Sequence, residues 1–321
     1  MLKTTIMSAA IAVTSILSPA AAQDNYPQRP ITLIIPFAPG GSTDILGRLL
    51  AEEMSNRLGQ PVIVENKAGA GGNIGGSYVA RAKPDGYTLM VAAAGPTVIN
   101  PSLYDNMQFS PVTDLRPITA LTREHNVMAV NASSPITTLK EFITYAKDKP
   151  VTFGSSGTGS PSHLSGELMN HMLGLEMTHI AYKGSGPAVV DLLAGHITVM
   201  IDNMPPLMPH IQNGTLRAIA VPSPERTDAL PNTPTFKEAG VDDFVVMAWK
   251  GLMAPAGTPD AIVQKIYDTA TDILAMPVMQ TRLAEMGAEP YGNTPEQFAQ
   301  QIKDETQWWA EIIKRTGTTL N

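Results

Sequence analysis

Two short loops carry the residues best suited to hold an anion. Residues 39–44 read Pro-Gly-Gly-Ser-Thr-Asp, and residues 154–163 read Gly-Ser-Ser-Gly-Thr-Gly-Ser-Pro-Ser-His. Each follows an apolar run of strand character and opens a stretch of helical periodicity. The first four amides of a helix have no partner inside it, and the helix dipole is positive at that end. A carboxylate fits such a terminus, and Ser42, Thr43, Ser155, Thr158 and Ser160 add hydroxyl donors. The plainer reading is a pair of ordinary turns in which Ser or Asp caps a helix. Two such loops in two similar halves favour paired cradles facing one cleft. A third strand-to-helix turn, residues 182–187, offers the Tyr182 hydroxyl and the Lys183 ammonium, or is a simple connector. Asp202-Asn203 ends a strand where a parallel sheet presents its cleft edge.

Catalytic signatures fail. Loop 154–160 lacks Gly-x-Ser-x-Gly spacing, and Ile74 occupies the place of the third glycine in a dinucleotide fingerprint. With no cysteine, a thiolate nucleophile is impossible. His163, Glu167 and His171 are spaced i, i+4, i+8, a pattern that zinc sites also use. A solvated helix face scatters polar residues in the same way. No metal and no cofactor are expected, and His163 is aimed at a ligand from the helix start. The alternative from another class is a secreted serine-type hydrolase using Ser155 or Ser160 with His163.

Short apolar strands alternate with amphipathic helices, which indicates an α/β architecture. Strands are expected at 31–37, 62–65, 87–92, 127–130, 151–153, 179–182, 199–201 and 216–221. Helices are expected at 45–58, 74–83, 139–147, 162–173, 187–193, 207–211, 260–274, 277–286 and 295–315. Trp249 and the Trp308-Trp309 pair read as packing groups.

Composition narrows the function. The chain has 321 residues, with 29 acidic against 22 basic side chains. An acidic chain without a basic run is a poor nucleic-acid binder, so a bound anion must be held by local dipoles. Lys3, the apolar run 6–17 and Ala20-Ala-Ala22 read as a signal peptide, residues 1–22, cleaved before Gln23. The run is shorter than the roughly 20 apolar residues a bilayer crossing needs. Without cysteine there is no lipid attachment. Retention in the periplasm is expected, and a chain of this length suggests two domains.

Motifs recur along nearly the whole mature chain: Tyr26-Pro-x-Arg-Pro-Ile31, Pro36-Phe-x-Pro-Gly-Gly-Ser-Thr-Asp44, Val64-Glu-Asn-Lys-x-Gly-Ala-Gly-Gly-Asn73, Lys83-Pro-Asp-Gly-Tyr-Thr-Leu89, Asn100-Pro-Ser-Leu-Tyr104, Gly154-Ser-Ser-Gly-x-Gly159, Ser162-His-Leu-x-Gly-Glu167, Tyr182-Lys-Gly184, Asp202-Asn203 and Leu252-x-Ala-Pro-Ala-Gly257. In order and coverage this set resembles the periplasmic receptors of the tripartite tricarboxylate transporter family, also called Bug proteins. The resemblance implies a two-domain periplasmic-binding-protein fold of the type II, Venus-flytrap kind with two interdomain crossovers. Domain 1 would take residues 23–122 and 250–321, and domain 2 residues 123–249. The resemblance also implies a monomer that captures a small di-, tri- or aromatic carboxylate and delivers it to integral-membrane transporter subunits. A receptor feeding a sensor protein would use the same pocket. Carried over position by position, the ligand-binding residues are Phe37, Gly41, Ser42, Thr43, Thr97, Ser155, Thr158, Gly159, Ser160, His163, Tyr182 and Asp202. One stretch departs from the family pattern, Thr122-Arg-Glu-His-Asn126. There Arg123 and His125 read either as solvated charges or as a second anchor for a ligand with two carboxylates.

Overall fold

Strand and helix alternate through most of the chain. The structure is a computed structural model that describes residues 26–316; the expected signal peptide and its cleavage point lie outside them. The first half holds β1 (Ile31–Ile35), α1 (Ser42–Leu58), β2 (Val62–Asn66), α2 (Asn73–Ala80), β3 (Thr88–Ala93) and β4 (Leu115–Asn131). Then follow α3 (Leu139–Asp148), β5 (Thr152–Ser155), α4 (Pro161–Leu173), β6 (Thr178–Ala181), α5 (Ser185–Ala194), β7 (Val199–Asn203), α6 (Met204–Gln212) and β8 (Leu216–Ala220). The chain closes with β9 (Met247–Pro255), α7 (Asp260–Leu274), α8 (Pro277–Glu285), β10 (Ala288–Pro290) and α9 (Pro295–Thr316).

The strands form one path, β2-β1-β3-β9-β4-β7-β5-β6. The β2-β1-β3 and β7-β5-β6 ends are parallel, and β9 and β4 run antiparallel between them. β4 serves both halves. Residues 115–125 pair with β9, while Asn126 to Asn131 pair with β7 and β8. Sequence reading assigns a strand only to 127–130 of this element and none to β9 or β10. Charged residues at 123–125 hide the strand pattern, and its pairing is with distant chain.

Packing follows the helix period. α1 buries Leu46, Leu50 and Met54 against Ile31, Leu33 and Ile35 of β1. Gly59, at φ 66°, ends α1 in the left-handed conformation, its N–H bonded to the Ser55 carbonyl. Leu50 is fully buried, and Leu50→Ala would cost about 2–5 kcal/mol. The second half has its own core, with Phe142, Phe153, Met169, Val199 and Ile201. Among the described residues no helix is long and apolar enough to cross a membrane.

Candidate functional site

At the first loop, α1 starts on an uncapped terminus. Gly41 takes an extended backbone (φ −84°, ψ 169°) and no side chain caps the helix. Among the described residues no hydrogen bond engages the amides of Gly41, Ser42 or Thr43. Asp44, the acid of the first turn, turns away to brace the loop. Its carboxylate accepts from the Gly40 N–H (3.0 Å), Asn66 Nδ2 (2.9 Å) and Arg48 Nε (3.0 Å). Burial alone would raise the Asp44 pKa, but these bonds hold it below the ordinary carboxylate value.

The second loop turns most of its amides onto its own acceptors. Ser155 Oγ accepts from the Gly157 N–H (3.1 Å) and lies 2.6 Å from His179 Nε2. Ser162 Oγ accepts from the Ser156 N–H, and Ser160 Oγ caps α4 by accepting from the His163 N–H. His163 Nδ1 accepts from the Gly159 N–H at 3.2 Å. The His163 and His179 rings stack at 4.0 Å, with Phe153 against His179 at 4.9 Å. Burial pushes both imidazoles down to about 4, so they are neutral near pH 7. The 3.8 Å approach of His163 to Glu167 is therefore not an ion pair. Ser155 and Ser160 are both buried, and Ser160 caps α4, so neither hydroxyl is open to a substrate, against the hydrolase alternative.

Both halves close over these loops. The Ala38 N–H donates to the Lys183 carbonyl at 2.8 Å, and the Tyr104 hydroxyl donates to the Thr158 carbonyl at 3.2 Å. Glycine permits the approach: a Cβ on Gly186 would lie 2.2 Å from the Pro39 carbonyl oxygen. The small cavity between the loops measures about 20 Å³ and is walled by Phe37, Gly41, Ser42, Thr43, Ser185, Asn203 and Lys250, among others. That is room for about one water, so an organic acid enters only when the halves part. An open chamber of about 1200 Å³ adjoins it, sharing Ala94, Pro161, Ala248 and Trp249. The chamber is far larger, but the unengaged amides of α1 border the small cavity.

The description "tripartite tricarboxylate transporter family receptor", TctC, belongs to the family model that matches residues 46–318. The chain belongs to this family. It is 39% identical to protein BugT of Bordetella pertussis, over 97% of this chain and 96% of that one. The solved periplasmic binding protein BugD superposes with a TM-score of 0.88 at 38% identity, covering 92% of this chain and 99% of that one. An R. palustris protein with adipate gives a TM-score of 0.88 at 37% identity, with 91% and 98% covered. MatC of Rhodopseudomonas palustris with bound malate gives 0.85 at 34%, with 90% and 100% covered. The architecture is thus the two-domain fold of periplasmic binding proteins, and the family consists of solute receptors rather than enzymes.

Within this TctC receptor the expected site residues divide. Phe37, Gly41, Ser42 and Thr43 line the small cavity. Ser155, Gly159 and Ser160 shape the second loop, and Thr158 meets the first half through its backbone carbonyl. His163 faces the larger chamber. Thr97 is fully buried, and its hydroxyl has no partner among the described residues. The Tyr182 hydroxyl is spent on Asp191 at 2.5 Å, with its pKa pushed up to about 12 by burial and that carboxylate. Asp202, held by Ser185 Oγ at 2.6 Å and the Asn203 N–H at 2.8 Å, has its pKa raised to about 6 by burial. Arg123 lies over the Tyr291 ring at 3.9 Å and lines the chamber; His125 faces Glu289 at 3.3 Å. Neither wall of the small cavity includes them. Sequence reading placed Asn203 with Asp202 at the cleft edge but missed Ser185 and Lys250 as cavity residues, His179 as the partner of Ser155, and Glu124 as the partner of Lys250.

Proposed function

We propose that this receptor captures a small carboxylate between its two halves, with the carboxylate on the Gly41, Ser42 and Thr43 amides, and hands it to the membrane subunits of a tripartite tricarboxylate transporter. The observation that carries the reading is the uncapped start of α1 at the wall of the interdomain cavity. A helix terminus with unengaged amides is a ready anion site, and the cavity supplies a low-dielectric wall around it. The adipate and malate of the two R. palustris relatives support a ligand with carboxylate groups. The leader expected at residues 1–22 supports periplasmic capture, and the receptor works as a monomer. We read residues 23–122 with 250–321 and residues 123–249 as the two domains that part and close. Closure follows from ligand binding because the ligand touches both halves only when they meet.

The test is thermal unfolding with adipate, malate and related acids, with the ligand followed by proton NMR. A binder present at 100 times its Kd should add about 2.7 kcal/mol of stability and emerge chemically unchanged. Stabilisation by none of them, or turnover of the acid, would overturn the reading. The delivery step is tested by ligand-dependent co-purification with the transporter's membrane subunits.

A further inference from the structure

Lys250 is the one charged residue that walls the small cavity, and its side chain is 3% exposed. A buried ammonium is costly unless it is paired. The pairing comes from Glu124, whose Oε2 accepts from Lys250 Nζ at 2.9 Å, while Glu124 Oε1 accepts from Thr122 Oγ1 at 3.4 Å. Register explains the meeting. Thr122 of β4 stands opposite Lys250 of β9, and Glu124 opposite Ala248. Alternate residues of a strand share a face, so Thr122, Glu124 and Asn126 form a polar row beneath the cavity. The row continues: Asn126 Oδ1 accepts from Asn203 Nδ2 at 3.1 Å, and Asn203 Oδ1 accepts from Ser42 Oγ at 3.4 Å. Arg123, one residue out of step, stands on the other face over Tyr291.

The cavity is therefore bordered by two donor features, the amide end of α1 and the Lys250 ammonium, the latter balanced by Glu124. We propose that Lys250 is a specificity-determining ligand contact, taking one carboxylate of a dicarboxylate whose other carboxylate sits on the α1 amides, with Glu124 positioning the ammonium. This rests on the carboxylate reading of the same cleft. An ammonium has three protons; one serves Glu124, and others serve the incoming acid. Unlike the α1 terminus, which any monocarboxylate can use, Lys250 adds affinity only for a ligand with a second acid group.

Calorimetry on four acid pairs tests this: adipate with hexanoate, glutarate with pentanoate, malate with 3-hydroxybutyrate, and terephthalate with benzoate. Wild-type protein should bind at least one dicarboxylate ten-fold or more tighter than its monocarboxylate partner. Lys250→Met alone leaves Glu124 buried and unpaired, so the double variant Glu124→Gln/Lys250→Met is the balanced test. It should lose at least ten-fold for the dicarboxylate and less than two-fold for the monocarboxylate. Glu124→Gln alone keeps the ammonium but removes the group that positions it, so it should weaken the dicarboxylate less than the double variant does and leave the monocarboxylate within two-fold. An equal loss for both acids in either variant, or no preference in wild-type protein, overturns the role of Lys250 and leaves the carboxylate reading standing. Wild-type protein that binds none of the eight acids overturns both.

Discussion

The two helix-start loops look alike in sequence and differ in chemistry. Both combine glycine with Ser and Thr ahead of a helix. At α1 the capping position is Gly41, the acid Asp44 is drawn off by Arg48 and Asn66, and three successive amides remain unengaged. At α4 four groups, Ser155, Ser160, Ser162 and His163, turn back and accept from the loop's own N–H groups. Glycine and serine content marks a loop; whether the loop can receive an anion depends on where its side-chain acceptors point. The first loop is an open donor set, and the second turns its acceptors onto its own amides beside the stacked, neutral imidazoles of His163 and His179.

Acid should separate the loops most strongly. His163 and His179 have folded pKa values of about 4, below the unfolded 6.5. Their contribution to stability is complete above pH 6.5 and shrinks as the pH falls towards 4, by about 3 kcal/mol for His163 alone. Asp202 runs the other way. Its folded pKa of about 6 exceeds the unfolded 3.8, so its contribution is complete below pH 4 and is lost as the pH rises through 6. Asp202→Asn should therefore steepen the acid-side loss between pH 6.5 and 4 by up to about 3 kcal/mol. Urea unfolding at pH 7, 5.5 and 4.5 measures both effects, and a difference between the two proteins that is independent of pH would contradict them.

Next in size is Gly186→Ala, which tests whether the two loops must meet. The added methyl collides with the Pro39 carbonyl across the cleft, while alanine suits a helical position. Ligand affinity should fall about 100-fold, near 2.7 kcal/mol, and small-angle scattering should show a more open particle with ligand present. Unchanged affinity would mean that the loops need not touch.

The smallest effects come from single donors and probe the contrast directly. Ser42→Pro removes one amide at a position where helices tolerate proline. It should weaken carboxylate binding by about 1.5–3 kcal/mol, the worth of a hydrogen bond to a charged group. Ser42→Ala keeps that amide and should cost about 1 kcal/mol or less. Thr158→Val, which leaves the carbonyl to Tyr104 in place, should change Kd by less than about two-fold. A ranking with Thr158→Val above Ser42→Pro, read by calorimetry, would reverse the assignment of the two loops.

Much of the fold was legible because α3, α7 and α9 carry strong periodicity and glycines stop α1, α4 and α5. The β4 strand was underread: its polar row at Thr122, Glu124 and Asn126 faces a buried network, so burial does not show as hydrophobicity. Of the cavity wall, Gly41, Ser42 and Thr43 follow from loop composition and Phe37 from the family resemblance. Lys250 does not, because its partner lies 126 positions away and only the cross-strand register brings them together. Arg123 and Glu124 are adjacent in sequence, but the alternation of a strand places them on opposite faces.

β4 and β9 occupy the middle of the strand path, and three strands lie outward on each side, ending at β2 and β6. At about 4.8 Å per step, those edges stand roughly 14 Å from the central pair. Any rotation about that pair moves an atom along an arc proportional to its radius. Residues beside the axis, Lys250 and Glu124 among them, barely travel. The rims at β2 and β6 sweep furthest and convert a small angular change into the largest displacement. At one of those outer margins Ile63 of β2 is half exposed.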